Sequence, residues 1–100
     1  MTIRFLKVAE AELREAVRYY ESQAGLGANF LLEVLAAIER ITDFPAAWQK
    51  VDAGLRRCQL DRFPYGLVYT EKSGDILIVA VAHLQRRPRT WRVRLREETD

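Results

Sequence analysis

Seven consecutive apolar residues, Ile76-Leu-Ile-Val-Ala-Val-Ala82, run directly into the only histidine, His83. The run is far shorter than the roughly 18 apolar residues that suggest a membrane span, and it reads as a buried strand. A strand with no polar face must be covered on both sides, so it is an interior strand of a sheet. It also delivers His83 and the residues after it to one edge of the fold.

Those residues form a cluster of guanidinium groups: Arg86, Arg87, Arg89, Arg92, Arg94 and Arg96, with no acid between Leu84 and Arg96. Six positive charges so close together repel one another unless something anionic lies against them. The chain as a whole carries a net charge of only +2, but it uses thirteen arginines against three lysines. Arginine forks suit bidentate recognition of carboxylate or phosphate, whereas lysine serves solubility equally well. The bias favours an anionic partner.

One hundred residues, 49% apolar and 30% charged, fit one soluble domain spanning 1–100 with a modest core. The single cysteine, Cys58, excludes an intrachain disulfide, and with one histidine it leaves no basis for a structural zinc site. Residues Met1 to Val8 hold no apolar core long enough for a secretory signal, so the cytosol is the expected compartment, with no membrane partner.

Along the chain, Ile3 to Val8 predicts a short strand. From Ala9 to Gln23, Leu13, Ala16, Val17 and Tyr20 recur at helical spacing, with Glu10, Glu12 and Glu15 near the positive end of the helix dipole. Gly25-Leu-Gly27 breaks this helix, and a second begins at Ala28 or Asn29, with Phe30, Leu31, Val34, Leu35, Ile38 and Ile41 on its apolar positions. So short a link predicts an αα-hairpin. Asp43-Phe44-Pro45 ends the second helix. Ala46 to Gly54 reads as a loop, and Leu55 to Leu60, Tyr65 to Glu71 and Ile76 to His83 as three strands of an antiparallel meander. The expected class is α+β, in the order β-α-α-β-β-β with both helices on one face. Gln85 to Arg96 carries no strong secondary-structure signal; Trp91 is expected to pack back onto the domain, and a chain cut after Leu84 is expected to fold.

Imidazole exchanges protons near neutral pH, so His83 is the obvious catalytic candidate, although a residue closing a strand more often hydrogen-bonds a neighbour. Ser22, Ser73 and Cys58 are poorly placed nucleophiles, and nothing converges Glu71 and Asp75 as a carboxylate pair. No metal cluster, cofactor motif or phosphate loop is present in the sequence. Metal-free phosphodiester cleavage remains chemically available, because arginines stabilise a developing phosphorane charge and RNA supplies its own nucleophile. Trp91 among the arginines, and Phe63-Pro64-Tyr65 before the central strand, suit base stacking or, more often, a protein interface.

The Arg56-Arg57 strand, Arg62-Phe-Pro-Tyr-Gly-Leu-Val-Tyr69, and Ile76-Leu-Ile-Val-Ala-Val-Ala-His83-Leu-Gln-Arg86-Arg87-Pro88 together resemble the RelE/ParE superfamily of type II toxins over nearly the whole chain. The resemblance implies a toxin held inactive by a cognate antitoxin whose C-terminal segment folds onto it. One branch, RelE, is a ribosome-dependent mRNA endoribonuclease; the other, ParE, poisons DNA gyrase. The ribonuclease branch uses basic sheet residues and often a C-terminal tyrosine or histidine, whereas this chain has little lysine in its sheet region and no tyrosine after Tyr69. The long hairpin and the His-x-x-Arg-Arg-x-Pro-x-x-Trp ending lean toward ParE, a gyrase inhibitor causing growth arrest and plasmid stabilisation. On the nuclease alternative, His83, Arg56, Arg57, Arg86 and Arg87 are the catalytic candidates. The expected partner-binding residues are Arg62, Tyr65, Arg86, Arg87, Arg89 and Trp91.

Overall fold

A computed structural model describes residues 2–85 and 91–98. In chain order the elements are β1 (Ile3–Phe5), α1 (Lys7–Ala24), α2 (Gly27–Asp43), β2 (Gln49–Asp52), β3 (Leu55–Gln59), β4 (Tyr65–Lys72), β5 (Asp75–His83) and α3 (Trp91–Glu98). One sheet has the strand order β1-β5-β4-β3-β2. The all-apolar strand is interior, as expected: β5 pairs antiparallel with β4 and parallel with β1. Every residue from Ile76 to Ala82 is buried.

The expected α+β order is realised, with three differences. Residues 49–52 form an edge strand in place of the expected loop. This hairpin is built from backbone pairing, Gln49 with Arg57 and Lys50 with Arg56, and turns at Gly54, whose φ of +73° suits glycine. An edge strand that buries little has no apolar alternation to betray it in the sequence. The first strand stops at Phe5, and α1 begins two residues before Ala9, because Leu6 stays extended and its carbonyl accepts the Glu10 N–H.

The third difference is α3. Its mixture of arginines and apolar residues gives no amphipathic stripe, yet Trp91 is only 4% exposed and α3 packs on β5. Two ion pairs hold it to distant elements: Arg92 to Asp52, and Arg94 to Glu12. Tertiary contacts thus make this helix. The expectation that Trp91 packs back onto the domain holds, but cutting the chain after Leu84 removes a core residue along with the tail.

The αα-hairpin forms as its glycines require. Gly25 adopts φ +66° and ends α1, with its N–H on the Glu21 carbonyl and the Leu26 N–H on the Tyr20 carbonyl. A Cβ at Gly27 would lie 3.0 Å from the Val17 carbonyl, so the two helices meet there backbone against backbone. The hairpin covers one sheet face through an aromatic cluster: Tyr20 and Phe30 stack at 5.3 Å, and both meet Phe63 and Tyr65 edge-on. Such pairs add about 0.5–1.5 kcal/mol each beyond area burial.

The sheet has one irregular place. Val68 pairs with Ala80 and Tyr69 with Ile78, so Val79 is an extra residue, a bulge in β5. There β1 has ended, since Leu6 donates its N–H to the Ile78 carbonyl and the chain turns into α1. The β5 edge beyond Ile78 is closed by side chains: Arg94 Nη1 donates to the Val79 carbonyl at 3.0 Å, and the Val81 N–H donates to Glu12 Oε1 at 3.1 Å. Arg94 and Glu12 also clasp each other through two bonds of 2.9 Å, with side chains only 17% and 20% exposed.

Replacing Glu12 by alanine strands a half-buried guanidinium and an edge N–H together. The expected loss is roughly 2–4 kcal/mol in urea unfolding; an unchanged midpoint would show that water takes over both roles. A second expectation concerns alkaline pH. Tyr69 is buried on the core side of β4 with its hydroxyl donating to the Pro45 carbonyl, and burial pushes its pKa up to about 12. The unfolded chain ionises this tyrosine near pH 10 while the folded chain keeps the proton, so stability falls as pH rises from about 10 toward 12. Tyr69→Phe is expected to flatten that part of the stability–pH curve, followed by denaturant midpoints at stepped pH.

Candidate functional site

The Phe63-Pro64-Tyr65 turn brings the β3–β4 link against the end of β5. Leu60 donates its N–H to the Tyr65 carbonyl, Tyr65 to that of Phe63, and Leu84 to that of Pro64. Tyr65 and His83 are register partners and meet edge-on, ring centres 5.3 Å apart. His83 Nδ1 accepts the Gln85 N–H at 3.2 Å, so the neutral ring carries its proton on Nε2. The imidazole borders a groove of about 600 Å³ between α1 and the ends of β4 and β5, walled by Tyr19, Tyr20, Tyr65 and Val81 with Glu12 and Glu15 on its rim. Burial raises the Tyr20 pKa above its ordinary value, and the neighbouring Tyr65 and Tyr19 phenols add to the rise.

A second groove, about 500 Å³, runs between α2 and the β3–β4 link, along Leu26, Leu32, Ala36 and Phe63. Glu33 organises the link: its Oε1 accepts the N–H groups of Asp61 and Arg62 at 2.8 and 3.0 Å. With its backbone held there, Arg62 extends a side chain that is 85% exposed.

Arg56 and Arg57 part company, because neighbours on a strand point to opposite faces. Arg56 shares its face with its register partner Tyr69 and donates to the Trp48 carbonyl at 2.7 Å. Trp48 in turn donates its indole N–H to the Arg40 carbonyl. Arg57 lies on the other face, its stem flat across Gly66, where a Cβ would come within 2.8 Å of Arg57 Cγ. Its Nη2 reaches Gln49 at 3.3 Å, and its buried Nε has no hydrogen-bond partner.

The nuclease candidates therefore do not all meet. His83 is level with Tyr65 and Arg56 with Tyr69, a displacement of four residues along β4, or roughly 13 Å, with two strand spacings of about 5 Å each across the sheet. Arg86, Arg87 and Arg89 lie outside the described residues. Trp91 serves the core, and burial pushes the Cys58 thiol pKa up, away from nucleophilic use. Among the described residues no three His, Cys, Asp or Glu side chains are grouped to hold a metal. No helix among them is long and apolar enough to cross a membrane.

Sequence reasoning missed Glu12 with Arg94 and Asp52 with Arg92. Their separations of 82 and 40 residues leave no local signal.

No curated relative matches the chain. Among solved structures it is similar to a chain of the chromosomal ParDE TA system from P. aeruginosa, at 19% identity and a TM-score of 0.63, covering 83% of this chain and 95% of that one. At that identity the likeness speaks to the fold. The family described as "ParE toxin of type II toxin-antitoxin system, parDE" matches residues 3–88. Family and fold agree, and the chain belongs to the ParE toxin family of type II toxin-antitoxin systems.

Proposed function

We propose that this ParE-family toxin acts by binding DNA gyrase, with no chemistry of its own, and that a cognate antitoxin neutralises it. The observation that carries this reading is the dispersal of the reactive groups among the described residues. His83 and Arg56 are far apart along the sheet and Arg57 is on the other face, whereas general acid–base catalysis needs its groups within hydrogen-bond reach of one reacting atom. A binding protein needs exposed charge and shaped apolar ground, which the groove beside His83 and the side chain of Arg62 supply.

The antitoxin segment lies between the helical hairpin and the sheet. Its apolar side chains enter the groove walled by Tyr19, Tyr20, Tyr65 and His83, and its acids meet Arg62 and the arginines at 86, 87 and 89. Trp91 takes part by fixing α3 against the sheet. One observation favours the ribonuclease alternative: the buried, unpaired Nε of Arg57 is the kind of donor a phosphate oxygen would satisfy.

Two assays run side by side separate the readings. Wild-type toxin is expected to inhibit gyrase supercoiling and to leave ribosome-bound mRNA intact, and His83→Ala is expected to keep most of the toxicity. A ribonuclease using His83 as acid or base would instead lose roughly 10²- to 10⁴-fold in rate; mRNA cleavage abolished by that change would overturn the gyrase reading. For the antitoxin, Tyr19→Ala removes a ring that is 56% exposed and does not disturb the core. It is expected to weaken the complex by roughly 1–2 kcal/mol in a calorimetric titration, and unchanged affinity would move the segment out of this groove.

A further inference from the structure

We propose that the outer face of α2 is a self-association surface on which a second copy of this chain packs antiparallel about a two-fold axis. α2 is apolar on two sides: Phe30, Val34, Ala37 and Ile41 are buried in the core, while Leu31, Leu32 and Leu35 are 40%, 64% and 51% exposed. A helix that keeps a row of leucines in solvent is incomplete without a cover. Ala28, Leu32, Leu35 and Glu39, all exposed, recur at spacings of four, three and four, the interval of a coiled-coil seam. In an antiparallel pair the layers cross, setting Leu32 against the second copy's Leu35 and Glu39 against its Ala28.

Charge selects both the occupant and its direction. The first turn of α2 holds no acid, and although Glu21 accepts the Gly27 N–H at 3.1 Å, the N–H groups of Ala28 and Asn29 have no acceptor within the helix. The other end has the opposite fault. Glu39 and Asp43 are exposed at the negative end of the helix dipole, while Arg40, the one base of the last turn, is directed to the Gln59 carbonyl and Asp61. An antiparallel copy corrects both faults twice over, because each Glu39 then faces the acid-free first turn of the other helix. The face is its own complement, as a two-fold interface requires. Exposed Leu26 and Phe44, at the two ends of α2, extend the apolar ground. The groove beside His83 lies along α1 and stays open in such a pair.

One helix pair buries a small interface, so the association belongs to the weak class and is read at high concentration. Sedimentation equilibrium of the antitoxin-free full chain, taken to on the order of 100 µM, is expected to show a monomer–dimer equilibrium. Leu35→Glu is expected to weaken it at least tenfold and Glu39→Lys by less, with unfolding midpoints near wild type because both positions are solvent-facing. The pair Ala28→Cys with Glu39→Cys is expected to give a covalent dimer on mild oxidation. Antitoxin affinity is expected to be unchanged in Leu35→Glu. A chain monomeric throughout, a dimer indifferent to Leu35→Glu, or a Leu35→Glu variant that loses antitoxin binding would each overturn the proposal, the last by giving this face to the antitoxin.

Discussion

An interior strand such as β5 requires cover on both faces and a neighbour on each edge, and β1 satisfies the second need for only three residues. Beyond Ile78 the edge carries polar backbone groups at the border of an apolar core, where an unmade hydrogen bond costs on the order of 1–3 kcal/mol. Glu12 and Arg94 meet that need with one acceptor, one donor and a mutual clasp. The solution joins the first helix to the last across the sheet edge. The position of α3, the burial of Trp91 and the end of the groove at Glu12 all depend on it.

Most of the architecture was legible because it follows from periodicity and punctuation. The apolar run from Ile76 to Ala82 identified the interior strand, Gly25 and Gly27 marked the hairpin, and Phe44-Pro45 ended α2. The edge strand β2 and helix α3 escaped because neither owes its form to its own sequence. β2 is held by its pairing with β3, and α3 by one tryptophan and two long-range ion pairs. The candidate site divided in the same way. His83 at a strand end and Arg62 beside a proline turn could be singled out from composition alone. The separation of Arg56 from Arg57 follows from alternation once the strand is granted, but the stem of Arg57 across Gly66 needed the register.

On the proposed binding role, the distribution of order matters as much as the residues. The aromatic cluster of Tyr20, Phe30, Phe63 and Tyr65 makes the hairpin and sheet one rigid body, so the walls of the groove beside His83 are in place before anything enters it. Preorganised ground spares the partner part of the ordering cost, and an unfolded segment that must itself become ordered gains most from it. Arg62 is the contrasting element, a long side chain in solvent above a backbone fixed by Glu33. It suits early electrostatic capture better than final fit.

Strand residues alternate sides, and the extra residue at Val79 resets the count, so that Ile76 and Ile78 share a side with Val81 and His83. In an unbroken strand of the same residues, His83 would fall in step with Leu77 and face away from the α1–α2 hairpin, toward the side of the sheet that carries Arg57. The bulge is therefore the one place in β5 where a residue can be lost without turning His83 to the other face. A descendant that lost the codon for Val79 would regain regular pairing and keep its imidazole where it is. Loss of a codon at Ala80, Val81 or Ala82, with the bulge retained, would instead turn the same histidine to the opposite surface and toward different molecules.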